Sequence, residues 1–94
     1  MNISRYIKKN GLQLENVDAL KVYQTVDIDF INSDGKEDET QFDVKEITTP
    51  AGQKELAELF KDFCIENNFS PNTVTAVTVM RTANSMEELS ELSD

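Results

Sequence analysis

The sequence predicts an α+β fold, a small and mostly antiparallel sheet of three strands with one amphipathic helix across a face. Three observations predict it. Between Gln53 and Asn67, the residues Leu56, Leu59, Phe60, Phe63 and Cys64 fall on one stripe of a helix with about 3.6 residues per turn. Lys54, Glu55, Glu58, Lys61, Asp62 and Glu66 take the opposite face. Between Lys21 and Ile31, Val22, Val26, Ile28 and Phe30 alternate with Tyr23, Thr25, Asp27 and Asp29, the period of a half-buried strand. Between Thr73 and Arg81 the chain is rich in Thr and Val, which favour a strand. A stripe as wide as that of the helix needs a cover, and the strands supply it.

The other elements follow in order. Ile3 to Lys9 reads as a short helix capped by Asn2 or Ser4, with Ile3, Tyr6 and Ile7 on one face and Asn10-Gly11 as its stop. Leu12 to Leu20 reads mostly as loop, with room for a helical turn at Val17 to Leu20. After the first strand, Asn32 to Glu39 holds Asp34-Gly35 and many charges, the chemistry of a hairpin turn. Gln41 to Ile47 is the returning strand, with Phe42 and Val44 facing the core. Keeping those two beside Ile28 and Val26 requires paired numbers with an even sum, because a one-residue slip reverses every side chain. A loop of Asp34, Gly35 and Lys36 meets that condition and sets Asp27 opposite Asp43. The central helix can begin at Thr48, Thr49 or Gly52, and Thr49 as cap with Pro50 in the first helical position is a good fit. Phe69 to Asn72 is a turn. Ser85 and Glu88 form a capping box for a last helix, on which Met86 and Leu89 give a small apolar face.

The element order is therefore α-β-β-α-β-α. A helix crossing from the second strand returns the third parallel to it. The third strand then pairs either with the first, giving order 2-1-3, or with the second, giving 1-2-3; 2-1-3 is preferred, because the first strand is the longest and best patterned. The expected core holds Ile28, Phe30, Phe42, Val44, Leu56, Phe60, Phe63 and Val77. Ninety-four residues make one domain, 1–94, with a frayed tail over about 90–94. A chain of this size buries roughly 60–65% of the surface its unfolded form exposes, enough for one modest core.

Composition narrows the function. The chain has one Cys and no His, which leaves no disulfide framework and no conventional zinc site. Cys64 lies on the apolar stripe and reads as a core residue. The first residues lack the apolar run of a signal peptide, and no stretch approaches the roughly 20 apolar residues of a membrane span. A cytoplasmic protein without a membrane segment is expected. Catalysis is not: there is no His to act as general base or to activate Ser, Thr or Cys64. Among three glycines there is no phosphate-cradling loop. The expectation is no enzyme, no cofactor and no metal. An EF-hand reading of the Asp-rich turn fails on spacing. With Gly35 at the sixth position, Phe30 becomes the first ligand and Gln41 the twelfth.

The net charge of −9 is unevenly placed. Up to Lys21, four basic residues face two acidic ones; from Val22 onward, sixteen acidic residues face five basic. Such a field repels nucleic acid and attracts basic surfaces. Asp27 opposite Asp43, with Asp29 one step along, is a like-charge arrangement that disfavours pairing. Solvation at a two-stranded rim accounts for it, and so does a basic partner. In the partner reading, Asp27, Asp29 and Asp43 join Glu37, Asp38 and Glu39 of the turn in a surface resembling a row of phosphates. The expected activity is that of a small acidic protein-binding module, a nucleic-acid mimic in its sharpest form.

Two alternatives belong to other classes. The outer edge of the third strand offers unpaired backbone to a second copy, giving a homodimer scaffold in place of a monomer. Asn68-Phe69-Ser70-Pro71-Asn72-Thr73-Val74-Thr75 is similar to the turn and first residues of a recognition helix in helix-turn-helix proteins. Against direct DNA binding, Arg81 is the single basic residue from Thr73 to Ala83, where several phosphate contacts are needed.

Met1 to Lys9, Val22 to Ile47 and Gln53 to Asn67 also form a layout: a short helix, an acidic hairpin with an Asp-Gly turn, then an amphipathic helix. In layout and charge it resembles small acidic phage-encoded inhibitors of bacterial defence nucleases. Some of those inhibitors mimic DNA, so the resemblance implies a basic, nucleic-acid-binding partner.

Overall fold

A computed structural model describes residues 3–92 apart from 16, 18, 19 and 69–72. It contains α1 (Ile3–Asn10), β1 (Gln13–Leu14), β2 (Tyr23–Ile31), β3 (Glu37–Lys45), α2 (Pro50–Glu66), β4 (Thr73–Ala83) and α3 (Met86–Leu92). The strands form one sheet in the order β1-β4-β2-β3. β2 runs antiparallel to both neighbours, and β1 runs parallel to β4. The three expected strands thus stand in the expected order with β2 between the others. The sheet is nevertheless four-stranded and mixed, not three-stranded. β1 is only Gln13 and Leu14, paired with Thr78 and Val79 and continued by the Glu15 N–H on the Val79 carbonyl at 3.0 Å. Two residues carry no periodicity, so pairing alone defines this strand.

β1 also changes the edge. β4 is not the outermost strand, as a homodimer through the third strand would have it. Its middle is covered by β1, and the Tyr6 hydroxyl donates to the Thr75 carbonyl at 2.9 Å. The long uncovered edge belongs to β3 instead, and Glu37, Asp38, Glu39 and Asp43 lie along it. Charged residues on an edge strand discourage pairing with another chain.

One face of the sheet carries the core. Val26 lies between Phe42 and Val79, Ile28 between Thr40 and Val77, and Phe30 beside Val74. The β2–β4 pairing shifts twice, between Thr25 and Val26 and between Asp29 and Phe30. Met80 and Thr75 are the extra residues on β4. These bulges keep Val74, Val77 and Val79 on one face although their spacing breaks the period of two. The expected core residues all belong to the main cluster, with Phe42 and Phe63 half-buried. The Phe30 ring meets Phe60 edge-on at 5.3 Å and Phe63 at 6.2 Å. Ile3 and Ile7 of α1 join the same cluster, so α1 and α2 share this face.

Helix ends follow their local chemistry. α1 stops at Gly11, whose φ of 79° suits glycine and whose N–H reaches the Ile7 carbonyl at 2.7 Å. Thr49 caps α2 by accepting from the Gly52 N–H at 3.2 Å, with Pro50 first in the helix. Gly52 is required by proximity: a Cβ there would lie 2.0 Å from the Glu46 carbonyl oxygen. Ser85 accepts from the Glu88 N–H at 3.2 Å, and the Glu88 carboxylate accepts from the Asn84 N–H at 3.1 Å. α3 packs on β4 and β2, and its buried Leu89, like Ala83, stands outside the main cluster. It therefore covers one end of the second face of the sheet.

Thr73 to Ala83 is a strand, so it supplies no recognition helix. Its β-branched residues pack better in a pleated sheet than against a helical turn. Residues 69–72 of the expected turn and residues 18 and 19 of the expected helical turn lie outside the described residues. Residues 90–92 of the expected frayed tail are helical, and 93 and 94 lie outside the description.

Candidate acidic site

The acidic site is built by the β2–β3 hairpin, and its geometry starts in the turn. The Asn32 side-chain oxygen accepts from the N–H groups of Asp34 and Lys36 at 2.9 and 3.1 Å. The Asn32 N–H reaches the Lys36 carbonyl at 2.8 Å, and Gly35 takes a φ of 76°. This Asx-type closure gives a five-residue loop, 32–36, and pairing begins with Ile31 opposite Glu37. The expected three-residue loop is therefore corrected to five, and the pairing slips by two residues. An even slip leaves every side chain on its expected face and changes every partner.

Asp43 is consequently not opposite Asp27. It faces Thr25, whose hydroxyl donates to the Asp43 carboxylate at 2.7 Å. Asp27 faces Gln41 on one side and Thr78 on the other, and Asp29 faces Glu39. The like-charge cross-strand pair exists, but it is Asp29 with Glu39. One carboxylate oxygen from each of Asp27, Asp29 and Glu39 lies within 4.8 Å of the other two. Of the six expected residues, these three converge. Asp38 points to the other face beside Phe30, where it accepts from Asn32, and Glu37 sits at the mouth of the turn. An open depression of about 480 Å³ there is lined by Asp29, Phe30, Glu37, Asp38, Glu39 and Thr75.

Asp27 is not at a solvated two-stranded rim. It is 5% exposed and lies on a strand flanked on both sides. Its Oδ1 is enclosed and accepts no hydrogen bond. Burial, then the hydrogen bond and negative charge of Asp29 and the charge of Glu39, push the Asp27 carboxyl up from 3.8 to about 7. A hydrogen bond from Gln41 opposes the rise. Among the described residues, the charged neighbours that weigh on Asp27 are thus Asp29 and Glu39, both negative.

Cys64 is buried, and burial raises its thiol pKa, which keeps it protonated and unreactive. No described helix is long and apolar enough to cross a membrane. Comparison with protein families, curated proteins and solved structures finds no match.

Proposed function

We propose that this chain is a small non-enzymatic binding module that engages a basic protein surface through Asp29, Glu37, Asp38 and Glu39. The observation that supports this reading is the depression at the hairpin end. Four of its six described lining residues are these acids, and none is basic. Asp43 extends the negative surface along β3, on the same face as Glu37 and Glu39. Alternate residues on a strand stand about 7 Å apart, which makes such a row a coarse copy of a phosphate backbone. A basic groove that takes nucleic acid is the partner surface this arrangement fits, and inhibition by occupying that groove is its sharpest form. Buried Asp27 is not part of the contact.

The test is capture of binding partners from a cellular extract on the immobilised full chain at low and high salt. Charge attraction between exposed groups is screened over about 8–10 Å at physiological salt, so capture should weaken steeply as salt rises. The wild type should retain a basic protein that added duplex DNA displaces. The variant carrying Asp29→Lys, Glu37→Lys and Glu39→Lys should lose it while keeping the wild-type circular dichroism spectrum. Capture of the same proteins by both chains would reduce the acids to edge protection. Direct binding of duplex DNA by the chain would also contradict the reading.

A further inference from the structure

We propose that Asp27, Asp29 and Glu39 form a binding site for a single hard divalent cation, of the calcium or magnesium class, on the second face of the sheet. The site goes beyond the partner reading and does not depend on it.

The first support is geometric. Carboxylate oxygens bound to one Ca²⁺ lie about 2.3–2.6 Å from it, so two of them stand at most about 5 Å apart. The three oxygens here lie within 4.8 Å of one another before any ion draws them together. All three come from paired strands, Asp27 and Asp29 from β2 and Glu39 from β3 opposite Asp29. The backbone therefore fixes their relative positions more firmly than a loop would.

The second support is a buried atom without a partner. Asp27 is 5% exposed, and its Oδ1 accepts no hydrogen bond. Leaving such an oxygen unsatisfied destabilises a fold by about 1–3 kcal/mol, and more when the group is charged. The charges acting on it, Asp29 and Glu39, add repulsion where a counter-charge is needed. A cation with oxygen preference supplies one, because it takes several carboxylates at once and completes its shell with water. The donor set contains neither sulfur nor imidazole, which disfavours zinc and copper.

The test is calorimetric titration of the full chain at pH 8 in moderate salt, first stripped with chelator, with Ca²⁺, Mg²⁺ and Mn²⁺ in separate runs. At least one of these ions should bind at one per chain. Asp27→Asn and Glu39→Gln should each weaken that binding at least tenfold. The double variant Glu37→Gln with Asp38→Asn, which removes the same kind of charge nearby, should change it less than threefold. The ion should also raise the melting temperature of the wild type and not that of Asp27→Asn, whose own melting curve reports that it folds. Absence of saturable binding for all three ions overturns the proposal. So does equal weakening by the Glu37 and Asp38 variant, since that would mark a diffuse cloud of counterions.

Discussion

The two faces of β2 belong to one strand and obey opposite rules. Val26, Ile28 and Phe30 point into the core, where they stand opposite Val79, Val77 and Val74 of β4 and share one cluster with the apolar residues of α2. Thr25, Asp27 and Asp29 point the other way. There Thr25 and Asp27 are buried nearly as well, with α3 covering only the far end. On the first face burial removes apolar surface from water and stabilises the fold. On the second it strips water from a carboxylate and sets two others beside it, which destabilises the fold unless a proton, a cation or a partner intervenes. Burial alone therefore says nothing about stability; the chemistry of the buried group gives the sign.

The largest expected effect breaks the first face. Phe60 is 4% exposed and meets Phe30 edge-on. Phe60→Ala should destabilise by about 3–5 kcal/mol, read from denaturant midpoints, which is most of the margin of a small domain.

The next effect has the opposite sign and tests the second face. The Asp27 carboxyl is at about 7 in the fold against an ordinary 3.8. Between these values the folded chain holds a proton that the unfolded chain has released. Its contribution to stability is therefore complete below pH 3.8 and disappears as pH rises through about 7. A shift of this size corresponds to about 4 kcal/mol, which solvent screening reduces to about 2 kcal/mol. Asp27→Asn should stabilise the chain by about that amount at pH 8 with chelator present. The gain should shrink steadily as denaturation is measured at lower pH.

Smaller effects sharpen the contrast within the second face. Thr25→Val removes the hydroxyl that donates to Asp43 and keeps the shape, so a loss of about 1 kcal/mol is expected in thermal melts. Glu37 is exposed at the mouth of the turn, and Glu37→Gln should stay within about 0.5 kcal/mol of wild type. A loss greater than that would mean that the outer acids hold the fold as well as presenting charge.

What was legible in the sequence follows the same division. Alternation in β2 and the stripe on α2 identified the core, because apolar periodicity is a direct imprint of a face. It also placed Asp27, Asp29 and Asp43 on one side of the sheet. It did not give their partners. Those depend on the Asn32 side chain closing a five-residue loop, and a shorter loop preserves the same parity. β1 left no trace because two residues have no period. The convergence of Asp27, Asp29 and Glu39 was illegible for the same reason as the pairing: spacing rules find ligands along a chain, and Glu39 arrives from across a ladder.

Asp27 is enclosed beside two carboxylates, and the charges of Asp29 and Glu39 that act on it are both negative. The most direct measurement is an NMR titration of the Asp27 side-chain carboxyl carbon in the full chain, with chelator present. The midpoint should lie near the value of about 7 set by burial, Asp29 and Glu39, and should move down when Glu39→Gln removes one of the negative neighbours. A midpoint close to 3.8, unmoved by that substitution, would return Asp27 to the ordinary solvated surface.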